Sequence, residues 1–456
     1  MQLKQTFTED GARAISVTRS ISVENLPLRY QVASRNYTGI PSVECTGEHI
    51  WCLWQTGGDK EPHPENYCVL AYSDNGGESF VDSALIFEAF FEGKQTNVFI
   101  PMIITDEKGQ LIVLFSIKGR YYATVITNPT APIEEIEWQE PRCIYEGINI
   151  VNKPLKVKKD GKEVWYFFGD TDRAEYTTVI EAKGEDKLSS WEIVGKARTK
   201  YYPHARNLYH EPMAIELEPG NFWLLKRLEK GFKGGLEQSF SYDWGRTWTD
   251  YEAELPYPFI CSGSKFTFKK LNSGNILLVT HDTTEDRSKL IAHLSSDGGK
   301  SFPYSLMLDE RGTVSYPETC EDKDGTIYIA YDKGRMAEYE IRIAKIREED
   351  IIAGKPVAPG SRLKIEVSRA SNWTDVKEIV GFDVNSYSHL FSDTNSLLSL
   401  LPEELTVKTS ANKELKIFGY WSLTQSKKGK TLAFITRSLP YNITDTYGNL
   451  KFEIED

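Results

Sequence analysis

The chain has 456 residues, of which 40% are hydrophobic and 26% are charged, so a disordered chain is excluded and a globular protein is expected. The formal net charge of −12 argues against a nucleic-acid binder, because such proteins present a basic face. There is neither an apolar run as long as a membrane span nor a signal-peptide core near the start. We therefore expect a cytoplasmic protein, or a secreted or periplasmic one if a leader has been removed.

A turn built on glycine and followed by an apolar strand occurs six times. Consecutive turn glycines are 51 to 62 residues apart, and strands such as 49–54 and 326–331 are almost continuously apolar. Such runs are typical of strands buried on both faces, as in the stacked blades of a propeller. The repeat predicts an all-β fold, with a six-bladed β-propeller over residues 1–360. The six glycines are Gly47, Gly109, Gly161, Gly220, Gly274 and Gly325.

A second repeated motif lies in the later part of three of these units. Residues 241–248 and 295–302 share the pattern Ser-x-Asp-x-Gly-x-Ser/Thr-aromatic, and residues 73–80 are a weaker copy with Asn75 at the Asp position. The Asp and Ser side chains are expected to bind local backbone amides in a tight turn. We interpret this motif, an Asp-box, as structural.

Residues 361–456 do not continue the repeat. This segment is polar and strand-like, and it has no seventh turn glycine of the same type. Residues 401–407, Trp421 and the ending at 439–454 loosely resemble the immunoglobulin-like domains of bacterial extracellular enzymes. We predict a small β-sandwich-like domain, possible at this length, with a further β-subdomain packed on the propeller as the alternative.

The six cysteines are far apart and include no Cys-x-x-Cys pair, so we expect scattered buried thiols and no zinc site. No glycine-rich phosphate loop, Ser-His-Asp motif or His-x-x-x-His pair occurs in the sequence. The chain is therefore predicted to use no metal and no cofactor.

The repeat aligns equivalent positions of the blades. Eight or nine residues before each turn glycine, the innermost strand is expected to begin near the mouth of the channel. Proline follows in five of the six units, which suits the first residue of a strand because no ladder donor is lost. At this offset Gly39 and Ile100 bring no functional group. The pocket candidates are Lys153, Glu211, Lys265 and Tyr316.

Seven positions after the glycine, at the end of the second strand, Arg227, His281 and Asp332 are again ionisable. Charged groups that converge on a channel mouth are costly to bury unless they are used or paired. One interpretation is a structural network, for example Glu211 with Arg227. The other is a functional site, which we favour because ligands bind preferentially at such mouths.

Three features together resemble the sialidase (neuraminidase) superfamily of Asp-box propellers. They are the register of the boxes, Glu211 followed sixteen residues later by Arg227, and the segment 315–331 that carries Tyr316. The similarity spans about residues 30–350. It implies a six-bladed propeller enzyme in which Tyr316 is the nucleophile and Glu211 is its base. A neutral phenol avoids the repulsion that a carboxylate nucleophile would meet at a carboxylated anomeric carbon.

The resemblance also implies an acid/base aspartate in the loop at 55–66. Asp59 is the candidate, with Glu61 and Glu65 as rivals.

The same resemblance implies three arginines that hold the substrate carboxylate, and Arg227 matches one of them. The first belongs directly before Ile-Pro, where this chain has Gly39, and Arg35 lies four residues upstream as a candidate substitute. The third belongs two residues before the box serine of the fifth unit, where His293 stands. Neither Gly nor His reproduces bidentate recognition of a carboxylate by arginine.

Lys153 and Lys265 bring positive charge to new places. We therefore expect an anionic sugar: sialic acid, or one with a differently placed acid such as a uronic acid or a sulfated residue. The predicted substrate-binding residues are Arg227, Lys153, Lys265, His281, His293, Asp332 and Arg35.

Our preferred hypothesis is an exo-acting glycoside hydrolase that takes the non-reducing end of a glycan. The first alternative is a polysaccharide lyase, in which Tyr316 with His281 or His293 abstracts a proton beside a uronate carboxylate. The second is a non-catalytic glycan-binding propeller whose tail serves in adhesion. A lyase leaves an unsaturated, UV-absorbing sugar, and a binding module shows no turnover.

Overall fold

The computed structural model describes residues 3–9, 12–20, 26–32, 35–147, 150–170, 176–183, 186–199, 211–228, 235–251, 261–369, 376–409, 414–426, 429–436 and 449–454. Within these ranges the chain consists mainly of strands, which form seven antiparallel sheets. The predicted all-β class is therefore confirmed.

The first sheet begins with an N-terminal hairpin that pairs with the outermost strand of the first repeat unit. Its strands are β1 (Leu3–Glu9), β2 (Arg13–Arg19), β3 (Thr38–Thr46), β4 (His49–Thr56), β5 (Tyr67–Ser73), β6 (Val81–Phe91) and β7 (Lys94–Thr96). The order is β1-β2-β6-β5-β4-β3, and β7 pairs with β6. The innermost strand is therefore β3.

The second and third sheets are four-stranded, and neighbouring strands in each are consecutive in the chain. The second contains β8 (Phe99–Thr105), β9 (Leu111–Ile117), β10 (Arg120–Ile126) and β11 (Arg142–Glu146). The third contains β12 (Leu155–Lys159), β13 (Lys162–Asp170), β14 (Tyr176–Ala182) and β15 (Trp191–Arg198).

The fourth to sixth sheets repeat this connectivity. The fourth contains β16 (Met213–Glu218), β17 (Asn221–Arg227) and β18 (Leu236–Ser241). The fifth contains β19 (Thr267–Lys270), β20 (Ile276–His281), β21 (Leu290–Ser295) and β22 (Tyr304–Asp309). The sixth contains β23 (Val314–Glu321), β24 (Ile327–Lys333), β25 (Glu340–Ile346) and β26 (Arg362–Arg369), with helix α1 (Glu348–Ala353) before β26.

Apolar side chains pack between neighbouring sheets, as they do between the blades of a propeller. Val43 and Ile50 of the first sheet share one buried cluster with Tyr328 and Ile343 of the sixth. The propeller arrangement is confirmed, with five blades recognised among the described residues, and the count of six blades stays a prediction.

The turns carry the features that the repeat predicts. All six turn glycines have positive φ, between 62° and 91°, a region that glycine enters without strain. In the box at 241–248, Ser241 Oγ accepts from the Gly245 amide at 2.9 Å, and Asp243 Oδ1 accepts from the Thr247 amide at 2.9 Å. These local bonds give the box its structural role.

The seventh sheet lies in the C-terminal segment. Its strands are β27 (Val376–Val380), β28 (Glu404–Thr409), β29 (Glu414–Ser426), β30 (Gly429–Thr436) and β31 (Asn449–Ile454), in that order. Helix α2 (Thr394–Leu400) contributes Leu397 to a buried cluster with Val407 and Phe434. The β-sandwich and its immunoglobulin-like character stay predictions, as does the boundary at residue 360.

The described residues also include three short 3-10 helices at Leu28–Tyr30, Ile133–Glu135 and Val384–Leu390. Within the described ranges, no helix has the length and apolar character needed to cross a membrane.

Candidate active site

Four residues that directly precede a proline adopt the left-handed backbone, with φ of 57° at Ile40, 51° at Ile100, 45° at Glu211 and 55° at Tyr316. In β3, β8 and β23 the pairing register shifts at this point, which marks a β-bulge. Bulges change the direction of a side chain and are frequent beside active sites. Backbone strain at a non-glycine residue also concentrates at functional sites. Glu211 and Tyr316 therefore share one local feature, a left-handed backbone directly before a proline.

Tyr316 and Glu211 form a direct pair, although 105 residues separate them. The Tyr316 hydroxyl donates to Oε1 of Glu211 at 2.5 Å. Nη1 of Arg227 donates to Oε2 of Glu211 at 2.6 Å and lies 3.4 Å from the Tyr316 hydroxyl. Only 3% of the Glu211 side chain and 6% of the Arg227 side chain are exposed. The structure thus brings together three residues that the sequence analysis selected.

The environment of Tyr316 keeps its phenol protonated near neutral pH. Burial and the charge of Glu211 raise the pKa of Tyr316 to about 12, against the opposing effect of nearby arginines. A phenol with this pKa is a weak nucleophile unless a base accepts its proton. Glu211 is placed to do so.

Three arginines surround the Tyr316 ring, and two of them were missed by sequence analysis. The guanidinium carbon of Arg335 lies 3.9 Å from the ring centroid, and that of Arg287 lies 5.3 Å from it. Arg227 approaches the hydroxyl. Both missed residues lie in loops after the second strand of their sheets, outside the offset at which the repeat was compared.

Arg335 occupies the space beside Gly39, the position where the family resemblance calls for an arginine. A β-carbon added at residue 39 would lie 2.9 Å from Nε of Arg335. The glycine therefore makes room for a guanidinium that comes from the sixth sheet. Arg35, the substitute predicted from sequence, does not take this place.

Asp332 holds Arg335 in position and is fully buried. Its Oδ2 accepts from Nε of Arg335 at 2.9 Å and from the backbone amide of Ile40 at 3.0 Å. Its Oδ1 accepts from the Ser315 hydroxyl at 2.5 Å. Both oxygens of Asp332 are thus engaged with the protein itself, and its predicted role in substrate binding stays a prediction.

The sequence model of the BNR repeat-like domain matches residues 48–329, which is more than half of the chain. The chain belongs to the BNR repeat-like domain family. No curated protein matches the sequence.

Solved structures similar to this BNR repeat-like chain share its fold. The NanB sialidase from Streptococcus pneumoniae gives a TM-score of 0.51 at 13% identity, covering 74% of this chain and 69% of that one. A Hadza microbial sialidase gives 0.50 at 18% identity, with 69% and 66% covered. An α-L-arabinofuranosidase from Fusarium graminearum gives 0.50 at 10% identity, with 71% and 96% covered. The resemblance to sialidase-superfamily propellers is confirmed at the level of the fold.

In the loop at 55–66 of this BNR repeat-like chain, the carboxylate that reaches the arginines is Glu61. Its Oε2 accepts from the Tyr37 hydroxyl at 2.5 Å and from Nη1 of Arg335 at 3.2 Å. Because Arg335 lies on the Tyr316 ring, Glu61 belongs to the same cluster of side chains.

Asp59, the candidate acid, lies elsewhere on that loop. Its side chain is 68% exposed and faces His63 across 3.8 Å. Glu65, the other rival, is 48% exposed and also lies beside His63, at 3.9 Å. The loop therefore turns Asp59 toward solvent and Glu61 toward the Tyr316 cluster, and the acid role of Asp59 stays a prediction.

Arg35 is buried in a structural ion pair. Its two terminal nitrogens meet the two carboxylate oxygens of Asp82 at 2.8 and 2.7 Å, and they also contact the hydroxyls of Ser83 and Ser368. The two terminal nitrogens of Arg35 are thus engaged within the protein, and its role in substrate binding stays a prediction.

Lys153 and Lys265 are likewise paired with carboxylates. Nζ of Lys153 donates to the carboxylate of Glu44, and Nζ of Lys265 lies 2.6 Å from Oε2 of Glu318. Lys153 and Glu318 line a cavity of about 320 Å³ that includes neither Tyr316 nor its partners. Each of these lysines thus already has a carboxylate partner, and the expectation that they supply charge for the substrate stays a prediction.

His281 and His293 are neutral histidines. Burial lowers the pKa of each to about 4. Nε2 of His281 lies 2.8 Å from the carbonyl oxygen of Val314, so this nitrogen carries the proton and donates it. A histidine fixed in this way supports the packing beside β23. The described residues contain no group of His, Cys, Asp or Glu side chains that could hold a metal ion.

Proposed function

We propose that this chain is an exo-acting glycoside hydrolase in which Tyr316 is the nucleophile and Glu211 is its base. The observation that carries the proposal is the 2.5 Å hydrogen bond from the Tyr316 hydroxyl to Glu211. The left-handed backbone at both residues and the burial of Glu211 support it. Two of the structures with this fold are sialidases and one is an α-L-arabinofuranosidase, which supports the reaction class.

The proposed reaction has two steps. First, the Tyr316 oxygen attacks the anomeric carbon, its proton passes to Glu211, and the glycosidic oxygen leaves with a proton from an acid. The product is a glycosyl-tyrosine. Water then attacks the same carbon and gives its proton to the residue that acted as the acid, while the Tyr316 oxygen leaves and recovers its proton from Glu211. One water is consumed, and both protein groups return to their starting protonation.

Glu61 is our candidate for the acid. It is the one carboxylate of the 55–66 loop that contacts an arginine of the Tyr316 cluster. The Glu61 side chain is 19% exposed, so its carboxyl group is open to a glycosidic oxygen on the solvent side of the site.

We further propose that the sugar is anionic. Arg227 is paired with Glu211 and Arg335 with Asp332, whereas among the described residues the Arg287 side chain donates only to the Gly263 carbonyl and lies over the Tyr316 ring. A carboxylate or sulfate on the sugar would supply the missing negative charge beside Arg287. Guanidinium groups suit this role because they bind such anions through paired hydrogen bonds.

We also infer that the six sheets of residues 3–369 are six blades around one channel. The sheets follow each other in chain order, and the first packs against the sixth. This arrangement gives Glu211, before β16, and Tyr316, on β23, a common mouth.

The proposal is tested with aryl glycosides of sialic acid, uronic acids and neutral sugars. Tyr316→Phe and Glu211→Gln are compared with Tyr166→Phe, a control whose hydroxyl also donates to a buried carboxylate, that of Glu181, at 2.8 Å. Hydrolysis of an anionic glycoside by wild type and the control, with loss of activity in both site variants, is the expected result. An unsaturated, UV-absorbing product would favour the lyase instead, and binding without turnover across the panel would overturn the proposal.

A further inference from the structure

The first and sixth sheets pack against each other along an interface that we call the seam. They share no described strand. The first sheet is built from β1 to β7 and the sixth from β23 to β26, so no described strand crosses from one end of the chain into the sheet at the other end. Contact between them rests on apolar packing and on polar bonds such as Thr38 N to Arg335 O at 2.9 Å. The candidate site lies across this seam, because Arg335 and Glu61 come from its two sides.

Two cysteines face each other across the same seam. Cys45 lies on β3 and Cys320 on β23, the innermost strands of the two sheets, and their sulfur atoms are 2.7 Å apart. The sequence analysis expected scattered thiols, since 275 residues separate this pair. Sulfur atoms in a disulfide are about 2.05 Å apart, so bond formation requires a shift of less than 1 Å.

We propose that Cys45 and Cys320 are a site of covalent cross-linking, whose oxidation to a disulfide closes the propeller between its first and last sheets. Such a bond would tie together strands near the two ends of the propeller and would restrict the unfolded chain over a very long loop. It would also hold the seam that aligns Glu61 with Arg335.

The chemistry needs an oxidant, and a low-molecular-weight disulfide such as oxidised glutathione supplies it. The Cys45 thiolate attacks one sulfur of the reagent, forming a mixed disulfide and releasing one glutathione thiolate. The Cys320 thiolate then attacks Cys45 Sγ and releases the second glutathione. Two cysteine protons end on the two glutathione molecules.

Two properties set the rate of this thiol–disulfide exchange: the access of the reagent to the cysteine, and the pKa of the attacking thiol. Cys45 is half-buried and Cys320 is buried, so the reagent is expected to meet Cys45 first. The contact with Cys320, together with burial, raises the pKa of the Cys45 thiol well above its ordinary value. Because the thiolate is the attacking species, the cross-link should form slowly at neutral pH and faster in mild alkali.

The test uses the full-length chain, reduced and then treated with oxidised glutathione at pH 7 and in mild alkali. After denaturation, free thiols are counted and unreduced peptides are mapped by mass spectrometry. The chain has six cysteines, so the expected loss is two thiols, with Cys45 joined to Cys320. Cys143→Ser is the matched control, because Cys143 is also half-buried. It should behave as wild type, whereas Cys45→Ser should form no cross-link.

The melting temperature gives an independent readout. The oxidised wild type should melt higher than its reduced form by roughly 5 °C or more, and the difference should vanish in Cys45→Ser. In the folded chain the reagent could fail to reach the two cysteines. The reduced chain is therefore also refolded from denaturant in a glutathione redox buffer. Six free thiols after both treatments, or a lasting mixed disulfide at Cys45 without the Cys45–Cys320 peptide, would overturn the proposal.

Discussion

Nε of Arg335 lies 2.9 Å from the point that a β-carbon at Gly39 would occupy. A guanidinium from the sixth sheet thus fills space that belongs, by position, to a side chain of the first sheet. The same guanidinium covers the Tyr316 ring at 3.9 Å and contacts Asp332 and Glu61. The absence of a side chain at residue 39 is therefore a condition for the geometry of the site.

Gly39→Ala should displace Arg335 and lower kcat/KM about tenfold or more, because small displacements of a positioning group are costly in catalysis. The added methyl group would meet Arg335 and the Tyr37 hydroxyl at 2.9–3.0 Å. Gly312→Ala is the control, since a β-carbon there meets nothing within 4 Å. Steady-state kinetics with the substrate found in the glycoside panel provides the measurement. Equal activity of the two variants would contradict the account.

Arg287→Ala should weaken binding of an anionic substrate by roughly ten- to a hundredfold in KM, because a charge-assisted contact is lost. The matched comparison is the methyl ester of the same substrate, which lacks the negative charge. We expect the variant to affect the acid much more than the ester. A loss of the same size for both would show that Arg287 serves the protein structure and not the charge of the sugar.

Glu61→Gln should slow hydrolysis of substrates with poor leaving groups by about 10²–10⁴-fold and leave activated aryl glycosides much less affected, because only the former need a proton at the leaving oxygen. Asp59→Asn is the control from the same loop and should resemble wild type, since Asp59 faces solvent. If Asp59→Asn slowed hydrolysis of substrates with poor leaving groups and Glu61→Gln did not, the acid would be Asp59.

His281 should make folding stability depend on pH. Burial lowers its pKa to about 4, whereas the unfolded imidazole titrates near 6.5, so the unfolded chain binds more protons between these pH values. The free energy of unfolding should therefore fall as pH drops from about 6.5 to about 4.

His281→Gln keeps a donor for the Val314 carbonyl and removes the titration. Denaturant unfolding across that pH range should show a smaller pH dependence in this variant, by roughly 3 kcal/mol at most. An unchanged pH dependence would show that His281 does not contribute.

The sequence was sufficient to find the repeat and to select Tyr316 and Glu211. Glycine turns and apolar strands recur because each sheet needs the same hairpins and the same buried faces, so the all-β propeller follows from local rules. Tyr316 and Glu211 were found because the proline after each marks the position at which the backbone adopts positive φ.

The arginines could not be found in that way. Arg335 and Arg287 lie in loops, where equivalent positions of the repeat do not correspond, and only the ring of sheets brings them to Tyr316. Likewise, the sequence shows that Arg35, Lys153 and Lys265 are charged but not that Asp82, Glu44 and Glu318 already neutralise them. Ion pairs between distant segments depend on tertiary structure.

The central claim is that Tyr316 attacks the sugar. It is tested most directly by incubating the protein with a glycosyl fluoride of the proposed substrate sugar, with a second fluorine beside the anomeric carbon to slow release of the intermediate. Peptide mass spectrometry should find the sugar attached to Tyr316, with no adduct in Tyr316→Phe. Attachment to another residue, or hydrolysis by Tyr316→Phe at the wild-type rate, would contradict the account.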